Sequence, residues 1–305
     1  MSTRYNNYSS FLKEKFGCRV AKISIDAGMT CPNRDGNIST EGCIFCSARG
    51  SGDFTPDKAL TIKEQIKKGI NLIKDKWPNA KYIIYFQAYT NTYANIDFLK
   101  QIYYEALSFE GVVGLSIATR PDCLNKEVLS LLDDLNKKTF LTIELGLQTI
   151  HEKTATIINR GYSLDVFEEA LNNLNNLNIN VVTHVILSLP GESDEDYMET
   201  IKYLSGKNIH GIKFHMLHIL KNTKLHSYYN KTNFKVLTKK EYVTLVCDSL
   251  EILNESLVIH RLTGDGPKDL LIEPKWTLYK RSVLNDINME LKARNTCQGT
   301  NYNVQ

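Results

Sequence analysis

Three of the chain's seven cysteines, Cys31, Cys43 and Cys46, fall within sixteen positions of the stretch TCPNRDGNISTEGCIFCSARGSG. Thiolates are soft donors suited to zinc or to iron–sulfur clusters. A chance C-x-x-C is expected only about 0.2 times at this cysteine content, so the C-x11-C-x2-C spacing asks for a chemical cause. Structural zinc takes four ligands, usually from two paired knuckles, and no second C-x-x-C or H-x3-H follows. An iron–sulfur cubane held by three protein thiolates instead keeps one iron free for another ligand, which is a catalytic arrangement. Gly36, Gly42, Gly50 and Gly52 let the loop turn and bring backbone N–H groups near sulfur, while Phe45 shields one side. Cys18, Cys123 and Cys247 lie in or beside regular segments and Cys297 in a polar tail; all four read as small incidental thiols.

The elements that must hold such a loop follow from periodicity. Six β-rich runs, at 20–28, 81–88, 112–120, 139–148, 179–190 and 211–220, alternate with segments whose apolar residues recur near 3.6. Ser163 and Ser193 precede two of these helices as N-caps, the second with Asp194, Glu195 and Asp196 in its first turn, where the helix dipole favours acid. Strands separated by helices imply crossovers and a parallel sheet. One face of the strands is aliphatic. The other carries Lys22, Ser24 and Asp26; Tyr85 and Gln87; Ser116; Glu144 and Gln148; His184; and Lys213 and His215. A sheet covered on both faces shows continuous hydrophobic runs, so this one curves around something polar. The expectation is an α/β fold: a partial six-stranded (β/α)6 TIM-like barrel over 20–234, with a short N-terminal extension (1–19) and a helical C-terminal extension (235–305). Its site lies at the strands' C-terminal ends, where Cys31 also falls.

With 37 basic against 34 acidic residues, the balance of +3 neither demands nor excludes a polyanionic partner. No apolar run reaches the roughly 20 residues of a membrane span, and MSTRYNNYSS lacks the apolar core of a signal peptide. A cytoplasmic protein with no membrane partner and reduced thiols is expected.

The motifs DAGMTCPNRDG and GCIFCSARGSG, then FQAYTNTYA, SIATRPDCL, ELGLQT, NRGYS, HVILSLPGE, HMLHILKNTKL and TGDGPKDLL, resemble in order the small Elongator-related radical S-adenosylmethionine (SAM) family of YhcC and YtqA type. The resemblance runs from Tyr5 to Gly299. It implies that Cys31, Cys43 and Cys46 hold a [4Fe–4S] cluster whose free iron is chelated by SAM, that reductive cleavage yields a 5′-deoxyadenosyl radical, and that an electron donor such as flavodoxin or ferredoxin serves it. Where many relatives carry Gly-Gly-Glu for the SAM amino group, this chain has Gln87-Ala88-Tyr89-Thr90-Asn91, leaving Gln87, Asn91 or backbone carbonyls for that contact. Glu144 and Gln148 resemble an ExGxQ pattern that meets SAM, and Arg160 resembles an arginine that pairs with the SAM carboxylate. A structural carboxylate paired with Lys22 or Lys213 is the other reading of Glu144.

Substrate contacts are sought in Arg120, whose alternative is a strand-end ion pair with Asp122, and in the inward His184 and His215. In an unbroken strand His218 points to the opposite face from His215. Lys280 and Arg281, with Lys268 and Lys275, are candidates for a phosphate backbone or simply a solvated face. The family resemblance points to tRNA as substrate, with the wobble uridine's 5-carboxymethylaminomethyl side chain remodelled to aminomethyl. The alternatives are radical chemistry on a small molecule, or a non-catalytic iron–sulfur protein for RNA binding or electron transfer. The polar inward stripe weighs against the last, since a carrier needs no lined barrel.

Overall fold

The structure is a computed structural model, and it describes residues 4–303. After helix α1 (Tyr8–Phe16) comes β1 (Val20–Ile25), then α2 (Ile62–Lys74) and β2 (Lys81–Phe86), and then α3 (Ile96–Leu107) and β3 (Val112–Thr119). Next follow α4 (Lys126–Asn136), β4 (Phe140–Gln148), α5 (Glu152–Ile157), α6 (Leu164–Asn176), β5 (Asn180–Leu187), α7 (Asp194–Ser205) and β6 (Gly211–Met216). The C-terminal part holds β7 (Ile219–Leu220), α8 (Lys224–Thr232), α9 (Lys239–Ile252), β8 (Val258–Arg261), β9 (Leu271–Glu273) and α10 (Lys280–Ala293).

Strands β1 to β6 and β8 form one sheet in the order β1-β2-β3-β4-β5-β6-β8, parallel at every pairing. The expected six strands are there, and the sheet curls into a half-barrel. A seventh strand, β8, joins the sheet from within the helical C-terminal extension. Val258–Arg261 is too short to show a period, and its edge pairing with β6 rather than its own pattern makes it a strand. The run expected over 211–220 also divides: β6 stops at Met216, and Ile219–Leu220 pairs antiparallel with β9 instead.

One sheet face carries the core. Ile23, Ile84, Leu115, Ile143, Leu145, Val185 and Phe214 pack under the helices with Leu99, Leu132, Phe167 and Ile201, all buried. Fully burying one such side chain stabilises the fold by about 1.5–3 kcal/mol, so the helical layer is fixed by this face. Ser193 caps α7 in a reciprocal box with Asp196, as its position predicts. Ser163 sits at the N-cap of α6 but makes no side-chain cap; Glu152 Oε1 accepts from Leu164 N–H at 2.6 Å in its place. Helix α1 closes the barrel's lower end, with Tyr8 stacked on His260 at 3.9 Å and Phe11 edge-on to His210 at 4.8 Å. The interior is thus covered at that end, and the strands' C-terminal ends border its cavity.

Candidate active site

The cysteine loop leaves β1 and lies across those C-terminal ends. Its hold on the barrel comes largely from the NRGY segment between α5 and α6. Ile44 N–H donates to the Ile158 carbonyl (3.0 Å), Asn159 Nδ2 to the Gly42 carbonyl (2.8 Å), and the buried Asn33 Nδ2 to the Asn159 carbonyl (2.7 Å). Within the loop, Arg34 Nη2 donates to the carbonyls of Cys46 (3.1 Å) and Ser47 (2.7 Å). On the other side Ser51 Oγ and Gln87 Nε2 each donate to the other residue's carbonyl at 2.7 Å, and the Tyr89 hydroxyl donates to the Ala48 carbonyl. Gly50 has φ +63°, and a Cβ there would come within 2.9 Å of the Tyr89 ring, so both conformation and packing demand glycine.

Cys31, Cys43 and Cys46 are free thiols that border one cavity of about 270 Å³ running down the barrel's polar face. The hydrogen bond with Cys46 brings the Cys43 thiol down to about 7, against its burial, with Arg120, Asn33 and Arg34 helping; the Cys46 thiol goes up through that same bond and its burial. Asn33 Nδ2 lies 3.7 Å from Cys43 Sγ. Three thiols bordering one cavity supply one donor fewer than structural zinc takes, and they match a cubane held by three thiolates with one iron open to another ligand.

Below the thiols, Glu144 is the centre of the polar interior. Its carboxylate accepts from Ser116 Oγ (2.7 Å), His184 Nε2 (2.7 Å), Lys213 Nζ (2.7 Å) and Lys22 Nζ, and it is buried. Burial alone pushes its carboxyl up, but Lys213, Lys22 and His184 overcome it and hold the group well below the usual carboxylate range. One carboxylate cannot neutralise two ammonium groups. Lys22 keeps partial exposure, while burial brings the enclosed Lys213 down to about 7 despite its contact with Glu144. The lysine partners anticipated for Glu144 are both present, together with His184 and Ser116, and no oxygen of Glu144 is left without a protein donor.

Other expected SAM contacts are placed unevenly. Gln148 borders the cavity at φ +66° and accepts from the Tyr162 hydroxyl (3.1 Å); Tyr89 likewise borders it at φ +60°. A non-glycine residue in that region costs on the order of 1–3 kcal/mol, and such residues concentrate at functional sites. Gln87 borders the cavity with its amide nitrogen engaged by Ser51. Asn91 is fully buried behind the strand ends, with Nδ2 on the Ala118 carbonyl (3.0 Å).

Arg160, expected to pair with the SAM carboxylate, lies outside the cavity lining. It is fully buried, and its guanidinium donates to the carbonyls of Tyr162 (2.9 Å), Leu147 (3.0 Å) and Thr149 (2.6 Å) and to Glu152 (3.0 Å). The fork is spent fastening the end of β4 to the segment that holds the cysteine loop. Arg160→Lys is expected to cost about 2–3 kcal/mol of stability in thermal or urea unfolding, because an ammonium cannot reach three carbonyls and a carboxylate at once. Unchanged stability would return Arg160 to ligand binding.

Arg120 borders the cavity and makes the strand-end ion pair with Asp122 (Nε 2.9 Å, Nη2 2.6 Å), with Nη1 on the Arg160 carbonyl. His184 and His215 meet inside with ring centroids 4.9 Å apart. His218 also borders the cavity, against expectation, since the strand ends at Met216 and alternation no longer applies. Two further lining residues, Tyr162 and Arg261, are not marked by the sequence alone; NRGY ends in the tyrosine, and the arginine ends β8, which is too short to show a pattern. Lys280 pairs with Asp265 (2.9 Å) and Arg281 is exposed at the start of α10, both outside the cavity lining.

A curled parallel half-barrel with a cysteine loop over its open end defines the fold and site of a radical SAM protein. Residues 34–204 match the model of the Radical SAM superfamily and residues 209–293 that of the Radical_SAM C-terminal domain, and the chain belongs to this superfamily. Membership implies a [4Fe–4S] cluster and SAM. YtqA of Bacillus subtilis is 44% identical over 97% of this chain and 92% of its own length, and YhcC of Escherichia coli is 30% identical over 89% and 87%. The archaeal Methanocaldococcus infernus Elp3 superposes with a TM-score of 0.69 at 17% identity, over 92% of this chain and 64% of that one, a likeness of fold. No helix among the described residues is long and apolar enough to cross a membrane.

Proposed function

We propose that this chain cleaves SAM reductively at a [4Fe–4S] cluster held by Cys31, Cys43 and Cys46, and acts on the wobble uridine of tRNA, converting a 5-carboxymethylaminomethyl side chain to aminomethyl. The observation that carries the enzymatic part is one continuous cavity, bordered at its mouth by the three thiols and along its wall by Gln87, Gln148, His184, His215 and Arg261. The resemblance to Elongator-related proteins supports the tRNA part. Bound there, cluster and SAM would supply one-electron chemistry, with SAM as the net oxidant for loss of a hydride equivalent from the carboxylate-bearing carbon on nitrogen; hydrolysis would then release the two-carbon unit as glyoxylate and leave the amine on the base.

The chain's own residues do the positioning. Phe45, Ile186, Met216 and Leu217 give the cavity its dry side, while Gln87, Gln148 and Tyr162 offer hydrogen-bonding groups near its mouth. A base must leave its stack to enter. In this reading Arg281 and Lys268, both exposed, and Lys280, which pairs with Asp265, are the residues offered to phosphates.

The test incubates reduced enzyme with flavodoxin or ferredoxin as electron donor, SAM and tRNA carrying the carboxymethylaminomethyl group, and then analyses the nucleosides by mass spectrometry. Deoxyadenosine and aminomethyluridine should rise together. Deoxyadenosine with an unchanged wobble nucleoside would sink the tRNA assignment. Replacing Lys280 and Arg281 together by Ala should weaken tRNA binding and flatten its logarithmic salt slope by roughly 0.7 to 0.9 for each phosphate no longer neutralised.

A further inference from the structure

The TGDGPKDLL motif, which follows β8, is not used by the cysteine loop. Neither Gly264 nor Gly266 has a left-handed φ, so backbone conformation does not explain them. His218 does: a Cβ on Gly264 would lie 2.9 Å from its Cε1, and one on Gly266 3.1 Å from its Cδ2. The turn is stripped of side chains to seat this imidazole at the cavity wall.

His218 Nε2 and the neighbouring His215 Nε2 are both buried without a hydrogen-bond partner. Burial and the charge of Arg261 hold His218 at about 4, and burial, with the nearby positive groups, holds His215 well below the ordinary value, so both rings are neutral at pH 7. Arg261 donates Nε to the Thr263 carbonyl and its Nη2 stands 3.6 Å from Asp265, an arrangement that leaves its fork incompletely paired. Unpaired buried polar groups are costly, and both imidazoles border the same cavity as this guanidinium, beside the β6–β8 edge of the sheet, where a Cβ on Gly264 would lie 3.4 Å from Arg261 Nη2 as well as 2.9 Å from His218.

We propose that His215, His218 and Arg261 form the subsite that reads a carboxylate on the substrate. The guanidinium supplies charge, and each neutral imidazole supplies one N–H through its unpaired nitrogen. In naming the carrier of that carboxylate as the carboxymethylaminomethyl group, this rests on the function proposed above. An oxyanion could also come from a phosphate, so the probes separate the two.

The experiment measures, by calorimetry on the cluster-loaded full chain with SAM, the affinities of 5-carboxymethylaminomethyluridine, 5-aminomethyluridine and 5-aminomethyluridine 5′-monophosphate. The carboxylate nucleoside should bind roughly ten- to hundredfold more tightly than the aminomethyl one. Arg261→Gln should erase that preference, and Gly266→Ala, whose Cβ would have only His218 ring atoms as its three nearest neighbours, should reduce it by displacing that imidazole. Equal binding of the two nucleosides, a gain from the monophosphate alone, no binding of any probe, or a preference that survives Arg261→Gln would each overturn the subsite. A carboxylate preference with no binding or processing of intact tRNA would uphold the subsite and overturn only the tRNA reading.

Discussion

Cys43→Ala should purify with little iron and cleave no SAM, where the wild-type chain reconstituted without oxygen carries about four irons. The expectation rests on the cavity-facing position of Cys43, with Asn33 Nδ2 at 3.7 Å and a thiol brought down to about 7. A group held that way gives up its proton to iron readily. Loss of one of three thiolates leaves two irons of a cubane without protein ligands, and deoxyadenosine formation, which needs the cluster's electron, falls below detection. The fold should survive. The loop is tied by Asn33, Arg34, Asn159 and Tyr89 through bonds that do not involve sulfur, so the thermal midpoint of the iron-free wild type and that of the variant should agree closely. Stoichiometric zinc in wild-type protein purified without oxygen would defeat the cluster assignment, because the same thiols would then be serving a single ion.

The sequence made the polar stripe legible because strand alternation is local: Glu144, Gln148, His184, Lys213 and His215 share one face by spacing alone. It also marked the cysteine loop, whose spacing is contained in one segment. What it hid depends on partners distant in the chain. Arg160 carries the residue type of a carboxylate fork, yet its acceptors are carbonyls on β4 and beyond, fixed only when α5 packs. Ser163 has the right type for a cap, but Glu152 reaches the same helix end first. Strand β8 is four residues long and is defined by its edge pairing with β6, and the end of β6 at Met216 is what turns His218 inward. Local pattern proposes an element; competition among partners decides where it stops.

The same competition decides what Glu144 is for, and its removal should be among the most damaging changes in the barrel. Glu144→Gln keeps the shape but leaves Lys22 and Lys213 facing a neutral amide in a buried site, and His184 loses its acceptor charge. Breaking a buried pair by removing one partner costs about 3–5 kcal/mol, which in a chain of this size lowers the midpoint on the order of 10 °C. Adding Lys213→Met should recover much of the loss, since it removes the ammonium that has no anion left. The pH dependence has a definite sign. Lys213 is held at about 7 in the fold and titrates near 10.4 when unfolded, about as any free lysine does. Between those values the unfolded chain binds the extra proton, so this group makes wild-type stability rise with pH across that window, and Lys213→Met should flatten the rise. For Glu144, whose carboxyl is depressed, the contribution is present above the unfolded value near 4.3 and fades only as pH falls through its lower folded value. At pH 7 the Glu144→Gln penalty should therefore be at full strength. If that variant instead melts with the wild type and loses only SAM affinity, the carboxylate belongs to the cofactor and the lysines around it are its supports.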